Sequence, residues 1–184
     1  MKLVWLIPLL YLLNSCKADF SLRSEDGNFI VNFPGKPTKK AIRLPVADGT
    51  ELDIVTYNYL SADSNIVYLL SYNNIPDYAS SNPDSILNKA KIGPAQSMRT
   101  TIVEEKKLDL QSFPGLYFKG LGLDVAMVYY IYIVKDRMYQ LAILNKIPRE
   151  PEEAEIKSFY SFFCERREHE SIVSFLRMAK HSGE

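Results

Sequence analysis

The sequence predicts an α+β fold, in which an antiparallel β-sheet is packed with two or three helices as an α/β/α sandwich. Two observations favour this fold. Short segments in which apolar and polar residues alternate, as is typical of strands, are separated by turn-forming residues. Two other stretches, near residues 83–98 and 151–163, place apolar residues at helical spacing. The length of 184 residues suits one domain.

The composition is that of a globular protein without a charge bias. Hydrophobic residues make up 47% and charged residues 24%, which excludes a collagen-like or wholly disordered chain. Basic and acidic residues number 22 each, so no general electrostatic attraction for nucleic acid is expected. The chain is rich in aromatic residues, with 12 Tyr and 9 Phe against 2 His and 2 Cys.

The N-terminus is predicted to be a signal peptide over residues 1–15. Lys2 supplies a positive charge, and the uncharged stretch Leu3–Leu13 is 11 residues long. A membrane-spanning helix needs about 20 apolar residues, whereas the apolar part of a signal peptide has about 7–15. Pro8 also disfavours a permanent membrane helix.

The end of this stretch, Leu13-Asn14-Ser15-Cys16, resembles the lipobox of bacterial lipoproteins. The resemblance implies cleavage before Cys16, attachment of lipid to its sulfur, and anchoring to a membrane of the bacterial cell envelope, facing the periplasm or the cell surface. Residues 16–26 are then the lipidated cysteine and a polar tether. An ordinary cleavable signal with a chance cysteine is the alternative. With lipid on Cys16, Cys164 has no cysteine left to pair with in this chain.

The first half of the domain is predicted to be a meander of four antiparallel strands followed by a helix. Turn signals such as Pro34-Gly35-Lys36-Pro37 separate the strands, which are expected at residues 28–33, 39–45, 51–60 and 66–72. Asn82 is a suitable N-cap, Pro83 suits the first helical position, and Asp84 suits the positive end of the helix dipole. Gly93-Pro94 is expected to break this helix or to start a second short helix through Met98.

The second half is predicted to repeat this order. Strands are expected at residues 100–110, 116–121, 124–134 and 138–144, with a turn at Phe113-Pro114-Gly115. A final helix beginning near Pro151 places Ile156, Phe159, Tyr160 and Phe163 on one face. Residues 166–184 form a charged C-terminal extension, in which residues 171–180 suit a short amphipathic helix.

Several of these motifs together resemble the PsbP-like fold, whose members include the extrinsic PsbP subunit of photosystem II and many lipoproteins and secreted proteins. The run Gly27–Pro37 has the pattern G-x-F-x-V-x-F-P-G-x-P, Arg137-Met138-Tyr139 begins a strand, and Phe159-Tyr160-Ser161-Phe162 lies in the final helix. The resemblance covers about residues 27–165. It implies a fold and a binding or assembly role, and it supplies no catalytic residue.

The residues that usually carry catalysis are sparse. His169 and His181 both lie in the C-terminal extension, and His169 is five residues from Cys164, beyond the favourable helical spacing for a nucleophile and its base. Two histidines and one cysteine are too few for a zinc site, so we expect no metal and no cofactor. Catalysis by a pair of carboxylates is an alternative, for which the candidate residues are Asp53, Asp124 and Asp136.

Two further groups of residues have both a structural and a functional interpretation. The first group is basic and consists of Lys36, Lys39, Lys40 and Arg43. In the structural interpretation these residues protect a sheet edge, and in the functional interpretation they contact acidic lipid headgroups. The strand Val128–Val134 has bulky residues in both alternating sets, which predicts a strand covered on both faces. In the alternative interpretation its tyrosines form a binding surface, whose candidate residues are Tyr129, Tyr130, Tyr132 and Tyr139.

Taken together, these features predict a membrane-anchored envelope lipoprotein of non-enzymatic type, which binds or helps assemble another envelope component. Its expected partners are the membrane, through lipidated Cys16, and an envelope protein or small ligand, but not nucleic acid. The alternative is a carrier of a small ligand or lipid, with a cavity between the sheet and the helix that contains Phe159 and Phe163. A carboxylate-based hydrolase is a third hypothesis.

Overall fold

The computed structural model describes residues 20–45, 51–76, 82–110 and 112–146, and the backbone of residues 163–164. These residues form ten strands and one helix. In chain order the elements are β1 (Phe20–Ser24), β2 (Phe29–Phe33), β3 (Thr38–Pro45), β4 (Glu51–Leu60), β5 (Ile66–Asn74), α1 (Pro83–Ser97), β6 (Thr101–Leu110), β7 (Phe113–Leu121), β8 (Ala126–Val134), β9 (Arg137–Asn145) and β10 (Phe163–Cys164).

The strands form two antiparallel sheets. The larger has seven strands in the order β3-β4-β5-β9-β8-β7-β6, and the smaller has three in the order β1-β2-β10. The small sheet covers one face of the large sheet, and α1 lies against β7 and β8 on the other face. Because side chains alternate along a strand, each face of the large sheet contributes to a different core.

The core beneath the small sheet is rich in aromatic rings. Phe29, Val31 and Phe33 of β2 point inward and are at most 1% exposed. They pack against tyrosines of the large sheet, among them Tyr57 and Tyr72. The core beneath α1 is built instead on Leu87 and Ala95 of the helix and on apolar side chains of β7, β8 and β9. Strand β8, which lies inside the sheet between β9 and β7, is therefore covered on both faces. This confirms the interpretation of its bulky alternating sets.

The beginning of α1 agrees with the sequence prediction, but its end does not. The Asn82 side chain accepts a hydrogen bond from the Asp84 N–H at 2.9 Å, as an N-cap does. The helix then continues through Pro94 to Ser97, so the predicted break at Gly93-Pro94 is wrong. Pro94 removes one helical hydrogen bond. Ala95, however, is buried against the sheet, and this packing holds the last turn in helical form.

The predicted fold class is wrong in its proportion of helix. The described chain is mostly β, with a seven-stranded sheet, a small second sheet and one helix, where two or three helices were expected. Phe163 was placed on the apolar face of a final helix, but it lies in β10, opposite Ile30. The rest of that predicted helix, with Ile156, Phe159 and Tyr160, and the extension 166–184 lie outside the described residues.

Two segments that were predicted to be irregular are strands. Phe20–Ser24, assigned to the tether, is β1 and pairs with β2, because Leu22 reaches the core beneath the small sheet. Phe113-Pro114-Gly115, predicted to be a turn, begins β7, where it pairs with the end of β6. Both segments are strands because each pairs with a neighbouring strand. The residues of the segments themselves do not indicate this pairing.

Candidate interaction surface

The large sheet ends in two edge strands, β3 and β6, which differ in how well they are protected. On β6, four consecutive charged residues, Glu104 to Lys107, stand in mid-strand, and the register with β7 shifts between Ile102 and Glu104. The Lys91–Glu105 and Lys107–Asp84 ion pairs also link this edge to α1. Charges and bulges of this kind oppose the pairing of an edge strand with another chain.

Strand β3 has no bulge, and its basic residues Lys39, Lys40 and Arg43 oppose pairing with another basic strand. All eight of its residues are exposed, and it pairs with β4 in an unbroken register from Thr38–Asn58 to Pro45–Glu51. In the described part of the chain, its outer side has no neighbouring strand. An edge strand presents main-chain groups to which another strand can bind.

An apolar surface lies next to this edge. Ile42 and Leu44 are 44% and 45% exposed, and they stand directly opposite Ile54 and Leu52 of β4. We call these four residues the β3–β4 patch. Cross-strand neighbours in such positions have Cβ atoms about 4.5–5.5 Å apart, so their side chains form one continuous surface. The patch lies on the same sheet face as α1, which packs against the distant strands β7 and β8.

A shallow groove of about 200 Å³ continues from the patch between the beginning of β4 and the end of β5. Its lining residues are Glu51, Leu52, Asp53, Asn74, Ile75 and Pro76. Pockets that enclose drug-sized ligands usually have about 300–1,000 Å³. The groove therefore fits a protruding side chain better than a whole small molecule.

The basic residues near β3 do not form one patch. Lys39 and Lys40 are consecutive in a strand and so point to opposite faces. Arg43 pairs with Asp53 at 2.7 Å and with Glu51 at 3.3 Å. The hydrogen bond and charge of Asp53 raise the pKa of Arg43. Among the three basic residues of β3, Lys40 is the one on the face of the β3–β4 patch.

Lys39 belongs to a polar network that joins β3 to the turn between β1 and β2. Its ammonium is 5.6 Å from the centre of the Tyr57 ring and 3.8 Å from the Asp26 carboxylate. A hydrogen bond with Tyr57 raises the pKa of Lys39. Arg137 lies over the Tyr72 ring at 5.2 Å and donates to the Asp26 carbonyl at 2.7 Å. These contacts hold the small sheet beside the edge strand.

The turn itself fits closely against the aromatic core. The Tyr139 hydroxyl donates to the Gly27 carbonyl at 2.8 Å, and the Gly27 N–H donates to Ser24 Oγ at 3.0 Å. A Cβ atom on Gly27 would lie only 2.3 Å from the Phe29 ring, so the position requires glycine. Asn28 completes the turn with a φ of 53°.

The four tyrosines that were candidates for a binding surface lie mainly in the core. Tyr129, Tyr132 and Tyr139 are 4%, 4% and 2% exposed. Tyr130 is half-buried and makes an edge-on contact with Tyr117, at 5.0 Å between ring centres. Of the four side chains, that of Tyr130 is the one accessible to a partner. Tyr129 and Tyr132 lie on opposite faces of β8, so the four do not form one surface.

Burial changes the acidity of these phenols. It raises the pKa of Tyr129 to about 12, because the ionised form would lose its hydration in the core. It also raises the pKa of Tyr130 to about 12, with a smaller contribution from the Glu104 charge. The pKa of Tyr132 rises above its usual value for the same reason, burial.

Asp124 and Asp136, two of the three candidate catalytic carboxylates, lie too far apart to act as a pair. Asp124 and Asp136 lie beyond opposite ends of β8, whose nine residues span about 30 Å. That distance is far beyond the roughly 5–10 Å that a carboxylate pair requires. The Asp53 carboxylate forms an ion pair with Arg43. His169 and His181 lie outside the described residues, as does the side chain of Cys164.

The described residues contain neither a metal-binding cluster nor a membrane-spanning helix. They contain no group of three or more His, Cys, Asp or Glu side chains that could hold a metal ion. Within the same ranges, no helix has the length and apolar character needed to cross a membrane. Cys16 and the predicted signal peptide lie outside these residues, so lipidation stays a prediction.

Comparison with known proteins identifies structural neighbours. The chain is similar to the solution structure of PsbP from the cyanobacterium Synechocystis, with a TM-score of 0.49 and 5% sequence identity over 70% of this chain and 81% of that chain. It is also similar to a protein of unknown function from Pseudomonas aeruginosa, with a TM-score of 0.37 and 7% identity over 76% and 86% of the two chains. No family model and no curated protein matches the sequence. A PsbP-like protein is thus a structural neighbour, and the likeness carries no argument about activity.

Proposed function

We propose that this chain is a non-enzymatic lipoprotein of the bacterial cell envelope, which binds or helps assemble another envelope protein through the β3–β4 patch. The observation that carries the proposal is the combination of an accessible edge strand and exposed apolar side chains at Ile42 and Leu44. Contiguous apolar surface beside unpaired main-chain groups is a common feature of protein-binding sites.

The lipid anchor is the second part of the proposal, and the lipobox-like sequence Leu13-Asn14-Ser15-Cys16 supports it. Strand β1 begins at Phe20, so the described domain starts four residues after Cys16. A spacer this short holds the domain close to the membrane surface, since a chain extends at most about 3.3–3.6 Å per residue. Partners within reach are therefore proteins of the same membrane or peptides close to it.

The Cys16→Ser variant tests the anchor. We expect the wild-type chain to fractionate with membranes and to have the intact mass of a chain that begins at Cys16 with added acyl groups. The variant should lose both the acyl mass and the membrane association, because the thioether cannot form on serine. A wild-type chain without acyl mass would contradict the anchor and leave the binding surface to be tested separately.

The Ile42→Asp/Leu44→Asp double variant tests the binding surface. We expect wild-type protein, extracted from envelopes in mild detergent, to migrate in a complex larger than the chain alone. The double variant should lose that complex, because two charges in the patch oppose burial against a partner. A matched control, Ile92→Asp/Leu123→Asp, changes two other exposed apolar residues and should retain the complex. Equal denaturation midpoints would show that both variants fold.

Loss of the complex in both double variants, or in neither, would contradict the proposal. The first result would mean that any added charge disrupts the complex, and the second that the β3–β4 patch does not contribute to it. The carrier alternative depended on a cavity beside the helix that contains Phe159 and Phe163. Phe163 lies in β10, and Phe159 lies outside the described residues.

A further inference from the structure

We infer that β3 binds its partner by strand addition, and that the extended segment it takes carries an acidic residue opposite Lys40 and apolar residues opposite Ile42 and Leu44. This inference rests on the proposed function, because it specifies how the β3–β4 patch would recognise an envelope protein. It follows from three features of β3: its main chain, the side chains on each of its faces, and the sign of its charges.

The main chain of β3 is already in the conformation that strand addition requires. It is extended over eight residues and pairs with β4 without a register shift. In such a strand, alternate residues direct their N–H and C=O groups away from the sheet. A segment laid along this side would extend the seven-stranded sheet and satisfy those groups. The register shift in β6 makes the opposite edge a poorer template.

The side chains of β3 define what the added strand would carry. Lys40, Ile42 and Leu44 occupy alternate positions, so they lie on one face and reach a neighbouring strand at successive positions. Cross-strand neighbours interact most favourably as apolar pairs or as opposite charges. A complementary segment therefore has apolar residues opposite Ile42 and Leu44 and an acidic residue opposite Lys40.

The charges of β3 also disfavour pairing of this strand with the β3 strand of a second copy of the chain. The charged residues of β3 are Lys39, Lys40 and Arg43, and no acidic residue lies in the strand. Antiparallel pairing of two β3 strands about Ala41 would place Lys39 of one copy opposite Arg43 of the other. Like charges in such positions are destabilising. An acidic segment replaces this repulsion with attraction.

A pair of synthetic peptides tests this inference on the purified full-length protein. The probe is the blocked peptide Thr-Val-Thr-Val-Thr-Glu-Thr, which places Val, Val and Glu opposite Leu44, Ile42 and Lys40 when it pairs antiparallel with β3, and the control replaces the Glu with Lys. We expect the acidic peptide to bind and the basic peptide not to bind. Hydrogen exchange should slow at alternate amides of β3 when the acidic peptide is present, because strand addition protects main-chain N–H groups.

Two charge-reversal variants show whether the site is β3. Lys40→Glu should weaken binding of the acidic peptide about fivefold, since it exchanges an attraction for a repulsion across the strands. Lys89→Glu makes the same change in net charge on the exposed side of α1 and should leave the affinity unchanged. A difference between the variants therefore reports a local contact and not the overall charge.

Each other outcome overturns the inference. Equal affinities of the acidic and basic peptides would exclude recognition of an acidic residue by Lys40. An equal loss of affinity for the acidic peptide in both charge-reversal variants would exclude it too. Binding without protection of β3 amides would exclude strand addition. Protection of β3 that rises with protein concentration in the absence of peptide would identify a second copy as the occupant. If any of these occurs while the Ile42→Asp/Leu44→Asp variant still loses its native complex, the inference fails and the proposed function stands.

Discussion

Replacing Phe29 by alanine is expected to lower the free energy of unfolding by about 4 kcal/mol, the range typical of Phe→Ala in a packed core. The Phe29 side chain is 1% exposed and makes edge-on contacts with Tyr57, Tyr72 and Tyr139 at ring-centre distances of 5.8–6.2 Å. Phe29 links the small sheet to three rings of the large one. Its loss leaves a cavity among these rings, one of which, Tyr139, donates a hydrogen bond to the Gly27 carbonyl.

Urea denaturation followed by tyrosine fluorescence measures this effect, with Val103→Ala as the control. Val103 is an apolar residue that is 52% exposed on β6, so its truncation should change stability by less than about 0.5 kcal/mol. Hydrogen exchange in the Phe29→Ala variant should show the largest loss of protection in β1 and β2. Similar stability losses in the two variants would contradict the assignment of Phe29 to the core.

Stability should also fall steeply at alkaline pH, because burial raises the pKa values of tyrosines in the sheet. Tyr129 has a folded-state pKa of about 12, against 10.0 for an unperturbed phenol. Above pH 10 the unfolded chain therefore releases a proton that the folded chain retains, and stability decreases until the folded-state pKa is reached. For Tyr129 alone the loss between pH 10 and 12 is about 2 kcal/mol.

The Tyr129→Phe variant isolates this contribution. Phenylalanine has no ionisable group, so the fall in unfolding free energy between pH 8 and pH 11 should be smaller in the variant than in the wild type. Comparing the two proteins across pH removes any difference in packing that is present at pH 8. Parallel stability curves for the two proteins would show that Tyr129 does not ionise on unfolding and would contradict its burial beside α1.

Much of the local structure was predictable because it depends on neighbouring residues. The strand predicted at Glu51–Leu60 has the observed bounds, and Asn82 caps α1 as its position before Pro83 indicated. Alternating apolar residues predicted β2, whose Phe29, Val31 and Phe33 all point inward. In each case the signal lies within a few residues and reports on the element itself.

The errors arose where a partner distant in sequence decides the structure. Phe163 has helical spacing with residues before it, but it pairs with Ile30 across more than half of the chain. Phe20–Ser24 looks polar and short, and becomes a strand because β2 lies beside it. Pro94 predicts a break, but the buried Ala95 keeps the helix intact. Such contacts leave no local pattern.

The candidate binding surface illustrates the same limit. Tyrosine is common in binding surfaces, but the side chains of Tyr129, Tyr132 and Tyr139 are buried in the core. The basic residues of this strand indicated a sheet edge, and β3 is one. The sequence did not indicate that Ile42 and Leu44 are exposed, because a strand's own residues do not show which of its faces is covered. The sequence signal for this surface was the alternation of Lys40, Ile42 and Leu44 along one strand. It indicates an exposed apolar surface only when β3 is known to be an edge strand beside β4.

Site-specific photocrosslinking in intact cells tests the central claim, that β3 contacts another envelope protein. A photoreactive amino acid at Leu44 is compared with one at Lys89 on α1, and both side chains are exposed. We predict one specific adduct from position 44, absent from position 89, and lost when Ile42 and Lys40 are changed to Asp and Glu. Equal adducts from both positions, or none from position 44 in a folded and membrane-bound protein, would contradict the claim.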